Sequence, residues 1–122
     1  MMESASGKQL IAVAGEDTFG KSFISVVNKE IAPMGLMAIG INITPEAFDN
    51  FISHLPKSKV EATIFMPEFQ KKAAAAYGRE GYLLALINRG GDVELLCEDE
   101  QRAIDDRELY KIITTLRERY GI

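Results

Sequence analysis

Short apolar runs alternate with amphipathic segments along this 122-residue chain, and that alternation restricts the fold more than any other feature. QLIAVAG (9–15) is continuous, apolar and closed by Gly15, the signature of a buried strand. From Ser22 to Ala32 the period changes. Phe23, Val26, Val27 and Ile31 fall on one helical face, and Pro33 and Gly35 end the segment. LMAIGINI (36–43) reads as a second strand. Thr44 then stands at an N-cap, with Pro45 at the first helical position and Glu46 next. Phe48, Phe51, Ile52 and Leu55 give this second helix its buried face, and Pro56 stops it.

VEATIFM (60–66), rich in β-branched and aromatic residues, predicts a third strand. Pro67 and Glu68 open a helix running to Tyr77, with Gly78 as its C-cap. Its four consecutive alanines, Ala73 to Ala76, favour helix and leave a flat surface. Two apolar runs then flank Asn88-Arg89-Gly90-Gly91-Asp92, and the glycines supply the positive φ that a hairpin turn requires. Asp105 or Asp106 caps a last helix whose stripe is Leu109, Ile112, Ile113, Leu116 and Tyr120.

The resulting order is β-α-β-α-β-α-β-β-α. It predicts one three-layer α/β domain, Rossmann-like or flavodoxin-like, over residues 1–122. The sheet is mostly parallel, with a C-terminal β-hairpin and a final helix. Right-handed crossovers put helices on both faces. The hairpin is expected to place one antiparallel strand at an edge. MMESASGK at the start reads as flexible.

A net charge of −4 opposes a broad nucleic-acid face, which needs clustered Lys and Arg. Lys57, Lys59, Lys71 and Lys72 read as a solvated rim. The single cysteine, Cys97, excludes an intrachain disulfide and reads as a small buried hydrophobe. No apolar run approaches the roughly 20 residues of a membrane span, and no signal peptide is evident. These features predict a cytoplasmic protein. One histidine, His54, and no cysteine pair exclude a zinc site, and His54 reads as a surface residue at a helix end. Glu98-Asp99-Glu100 lacks the spacing of a calcium loop.

One motif carries a chemical expectation. GEDTFGKS (15–22) fits G-x-x-x-x-G-K-[ST], the phosphate-binding loop between a strand and a helix. In that reading Gly15 and Gly20 let backbone N–H groups turn inward, Lys21 reaches the phosphates and Ser22 holds magnesium. Glu16 and Asp17 would repel phosphate, and Thr18 and Phe19 are bulky for a wrapped loop. The magnesium ligand of a hydrolase is also missing after the second and third strands. Its nearest candidates, Glu98 and Asp99, are expected at the far end of a strand antiparallel to its neighbour. The preferred reading is therefore a turn, with Ser22 as a helix cap and Lys21 solvated.

In open α/β sheets ligands bind outside the carboxyl ends of the strands. A ligand site there, for a small anion or a nucleotide, would use Gly15, Asp17, Gly20, Lys21, Ser22, Asn42, Thr44 and Glu68. No residue pattern names a cofactor, a metal or a catalytic group. The order of elements is similar to the substrate-binding half of shikimate dehydrogenases, which also ends in a late hairpin near an acidic residue, here Asp99. That family's lysine after the third strand would fall near Phe69, and its cofactor domain has no counterpart in these residues. The likeness is one of pattern and not of motif. The sequence thus points to a small binding or assembly protein without catalysis of its own, with a phosphate-loop nucleotide binder as the alternative. A homodimer is expected through the hairpin 82–97 or the helix 68–77.

Overall fold

The structure is a computed structural model and describes residues 9–18 and 22–122. Five strands form one sheet in the order β2-β1-β3-β4-β5: β1 (Gln9–Gly15), β2 (Leu36–Asn42), β3 (Ala62–Phe65), β4 (Tyr82–Arg89) and β5 (Asp92–Glu98). β1 pairs in parallel with both β2 and β3, while β3–β4 and β4–β5 are antiparallel. Among the described residues four α-helices complete the fold: α1 (Phe23–Ile31), α2 (Phe48–His54), α3 (Pro67–Ala76) and α4 (Asp106–Tyr120). The three-layer, Rossmann-like architecture expected from the alternation is therefore present.

Crossover handedness distributes the helices. The chain steps one way along the sheet from β1 to β2 and back past β1 to reach β3. Right-handed connections then place α1 and α2 on opposite faces. Ile24, Val27 and Ile31 of α1, with Leu109, Ile112, Ile113 and Leu116 of α4, cover Ile11, Val13, Ala38 and Ile64. Phe48 and Ile52 of α2, with Phe69, Ala73 and Ala74 of α3, cover Ala14, Phe65, Leu83 and Leu86. The α1 stripe differs from expectation by one position: Ile24 is buried and Val26 is exposed. A stripe of Ile24, Val27 and Ile31 at i, i+3, i+7 is the narrower one, and it leaves Val26 off the contact line.

Two expectations about the hairpin need correction. β4 lies inside the sheet and not at an edge, with Leu83 to Ile87 buried. That explains an apolar run on both faces: a strand covered by helices on each side has no polar face. The edge strand is β5, and two successive antiparallel pairings make it parallel to β1–β3. Its carboxyl end, with Glu98, therefore comes to the same side of the sheet as the ends of β1, β2 and β3, opposite to the expectation.

Turn and cap chemistry follows the sequence closely. Gly90 and Gly91 take φ of 61° and 109° in the hairpin. Thr44 caps the 3₁₀ turn before α2 by accepting from Ala47 N–H at 3.3 Å, and Asp105 caps α4 by accepting from Glu108 N–H at 2.8 Å. Ser22 stands at the N-cap of α1, but its side chain makes no capping bond. At the other sheet edge, Asn28 of α1 closes part of β2. Its Nδ2 donates to the Ala38 carbonyl at 2.9 Å and its Oδ1 accepts from the Ala38 N–H at 2.7 Å. A side-chain amide thus takes the place of a neighbouring strand, one way of blunting an exposed edge. Among the described residues no helix is long and apolar enough to cross a membrane.

Candidate functional site

The strand order reverses direction between β1 and β3, so a crevice forms outside their carboxyl ends, bounded by the loops that follow them. Gly15 lies at its floor. A Cβ there would stand 2.7 Å from Met66 Cγ and 2.9 Å from Glu68 Oε2, so only glycine lets the two loops approach this closely. Glu68, in the first turn of α3, accepts from the Glu16 backbone N–H at 2.9 Å. The carboxylate sits where the α3 N-terminus and the first amide after β1 would attract an anion.

The same loop is held to β2 by a second contact. Thr18 donates both its N–H, at 2.6 Å, and its hydroxyl, at 2.7 Å, to Asn42 Oδ1. Thr18 is buried, and the space it occupies exists because residue 40 is glycine: a Cβ on Gly40 would stand 2.5 Å from Thr18 Oγ1 and 2.9 Å from its Cβ. Gly40→Ala is accordingly expected to expel Thr18 and open this latch. The cost is about 1–3 kcal/mol of stability, the range for overpacking a tight site. Chemical denaturation with hydrogen exchange at the Thr18 amide checks it, and a variant as stable as wild type with Thr18 still protected would refute the latch.

Of the eight residues expected to line a ligand site, the structure brings Gly15, Asn42 and Glu68 together through these loop contacts. Thr44 is spent as a cap, and Asp17 is exposed in the loop. Ser22 begins α1, while Gly20 and Lys21 lie outside the described residues. The phosphate-loop alternative is not built in the described part of GEDTFGKS. Two of its amides, those of Glu16 and Thr18, already donate to side-chain oxygens of the protein. Glu16, Asp17 and Glu68 also give the crevice an acidic border.

One component of this end of the sheet went unpredicted. The segment after β5 returns across it: Gln101 donates to the Pro67 carbonyl at 2.9 Å. Gln70, fully buried on α3, donates to the carbonyls of Phe65 at 2.9 Å and Arg102 at 2.8 Å and accepts from the Arg102 N–H at 2.8 Å. A glutamine three residues before Ala73, on the buried stripe of the helix, was the available signal. The Arg102 side chain pairs with Glu108 at 2.7 Å and with Glu98. The hydrogen bond that the guanidinium donates to Glu108 raises the Arg102 pKa above its ordinary value.

A separate groove of about 610 Å³ runs between β2 and α2, lined by Ile41, Ile43, Phe51 and His54 and including Asn42 and Thr44. His54 Nδ1 lies 2.7 Å from the Asn50 carbonyl. His54 is exposed, as its position at a helix end implied. Among the described residues no cluster of His, Cys, Asp and Glu is arranged to hold a metal ion.

A mixed α/β sheet with a reversal of strand order beside its central strand defines a Rossmann-like unit. No family model and no curated protein matches the chain. Solved structures do. A shikimate dehydrogenase in complex with NADP+ matches with a TM-score of 0.55 at 8% identity, over 72% of this chain and 34% of that one. Shikimate dehydrogenase 1 from Peptoclostridium difficile matches with a TM-score of 0.59 at 7% identity, over 93% of this chain and 42% of that one. A shikimate 5-dehydrogenase-like protein matches with a TM-score of 0.50 at 13% identity, over 94% and 41%. This chain therefore spans well under half the length of each. The likenesses establish the fold. They also correct the expectation of a small binding or assembly protein without catalysis, because the fold recurs here as part of larger dehydrogenases.

Proposed function

We propose that this chain is a nucleotide-binding unit of a dehydrogenase-like enzyme, with its ligand in the crevice between the carboxyl ends of β1 and β3. The observation that carries the reading is the reversal of strand order at that point, flanked by the joined loops at Gly15, Asn42 and Glu68. The NADP+ complex of one structural neighbour supports the choice of ligand class. The reading assigns no catalytic residue. The setting is cytoplasmic in this reading.

Calorimetric titration with NADP+, and with ATP and GTP plus magnesium, tests it. Saturable binding of NADP+ below millimolar concentration is expected, with ATP and GTP weaker because the Glu16 and Thr18 amides already donate within the protein. Absence of saturable binding at millimolar NADP+ would remove the reading.

Self-association is a second proposal, favoured by the half-buried Val93, Leu95 and Cys97 on the edge strand β5. β5, and not the interior β4, would carry a homodimer through the hairpin. The flat alanine helix is the weaker surface, since Ala73 and Ala74 already pack on the sheet. A sedimentation run showing only monomer at micromolar concentration and above would exclude it.

A further inference from the structure

We propose that the interior of this fold binds a water molecule that joins Thr63 of β3 to Asn88 of β4, on the face of the sheet covered by α2 and α3. The water completes a polar joint that fixes one end of the groove between β2 and α2.

Two buried polar atoms carry the inference. Among the described residues, the Thr63 hydroxyl and the Asn88 Oδ1 are the buried side-chain atoms without a hydrogen-bond partner. Sheet register brings the two together. Thr63 pairs with Leu86, so Asn88 is its diagonal neighbour on the adjacent strand. Phe65 and Leu86, two positions from each, belong to the cluster beneath α2 and α3, so Thr63 and Asn88 share that face. Thr63 is fully buried, with Ala12 and Leu86 as its apolar cross-strand partners. A buried hydroxyl with no partner is rare in folded proteins and calls for an explanation. The orientation of the Asn88 amide is settled by its other bonds. Its Nδ2 donates to the carbonyls of Val60 at 2.7 Å and Leu55 at 3.2 Å and lies 3.4 Å from Ser58 Oγ. Exchanging nitrogen and oxygen would set the oxygen against two carbonyl oxygens, so Oδ1 is the atom left over.

The two unpartnered atoms are complementary. A hydroxyl donates and an amide oxygen only accepts, so a water can accept from the first and donate to the second. Diagonal partners of antiparallel strands lie about 7–8 Å apart. Two hydrogen bonds of about 2.8 Å each, end to end through a water oxygen, span the remainder left by the two side chains. Ala12 presents only a methyl group beside Thr63, which leaves room on that side. A neutral donor and a neutral acceptor suit water and not an ion, whose burial needs opposite charge or several ligands. The consequence reaches the surface. Asn88 straps the turn after α2 (Leu55–Lys57) to the sheet, and Leu55 and Ser58 of this strap line the groove. A bridging water is nearly as good as a direct hydrogen bond, so it holds the free end of the Asn88 amide and with it the strap.

Water-oxygen magnetic relaxation dispersion, which counts long-lived internal waters, tests the assignment on wild type, Thr63→Val and Thr63→Ser. Valine keeps the branched shape and removes the hydroxyl, while serine keeps the hydroxyl. One long-lived water fewer is expected in Thr63→Val, and the wild-type count in Thr63→Ser. Chemical denaturation should show the folding constant of Thr63→Val lowered about three- to tenfold, the ordinary worth of a hydrogen bond. An equal count in wild type and Thr63→Val would overturn the proposal, as would loss of the water from Thr63→Ser. A Thr63→Val protein more stable than wild type would also overturn it, because that is the response of a hydroxyl that had no partner to lose. Wild type with no long-lived water would end the proposal without any variant.

Discussion

Phe48→Ala is expected to destabilise the fold by about 4 kcal/mol, the largest effect of any single truncation considered for this chain. Phe48 is fully buried at the start of α2. Its ring stacks on Phe69 at 4.6 Å and meets Phe65 edge-on at 6.1 Å, with Phe51 at 6.4 Å. Such pairs add about 0.5–1.5 kcal/mol beyond the burial of area. α2 has only 7 residues, too few to be helical on its own account, so its order comes from this packing. Truncation would leave a cavity between α2, α3 and β3 that three flanking rings cannot collapse into. Lys72, whose Nζ lies 5.6 Å from the Phe48 ring centroid, also donates to the Pro45 carbonyl at 2.9 Å, so the turn before α2 should loosen as well. Equilibrium denaturation measures the loss. A value below about 1.5 kcal/mol would contradict the packing described here.

Much of this was legible in the sequence because strands and helices of this fold impose different periods on apolar residues. QLIAVAG marks β1 to the residue, and Thr44-Pro45 and Asp105 mark helix starts by their chemistry. Strand direction was not legible. YLLALI carries no trace of whether its neighbour is parallel, and pairing is a property of two segments. The reversal at β4 therefore also misplaced the end of β5. The site was legible only as a region. Gly15, Asn42 and Glu68 were named from their places at strand ends, without the contacts that join their loops. The contacts Glu68–Glu16 and Thr18–Asn42 join residues 52 and 24 positions apart, and no local pattern encodes them. Thr18 was counted as too bulky for a wrapped loop. The structure shows the reason for its size, since it fills the space left by Gly40.

Gln70→Ala is expected to cost about 3 kcal/mol and to free the segment after β5. Gln70 is fully buried, and its amide serves three backbone groups: the carbonyls of Phe65 and Arg102 and the N–H of Arg102. Removing it leaves these groups unpaired in a place water reaches poorly, at about 1–3 kcal/mol for each that finds no substitute. The ion pairs of Arg102 cannot compensate. They involve side chains about one-third exposed, such as 35% for Arg102 and 36% for Glu98, and pairs in that environment contribute about 1 kcal/mol or less. The backbone staple therefore holds this segment at the carboxyl end of the sheet. Gln70→Met separates packing from hydrogen bonding, because it restores the volume and none of the three bonds. If hydrogen bonding dominates, Gln70→Met is destabilised nearly as much as Gln70→Ala, and hydrogen exchange at the Arg102 amide accelerates in both. Stability restored by methionine, with the Arg102 amide still protected, would mean that Gln70 acts as a filler and that some other contact secures the end of β5.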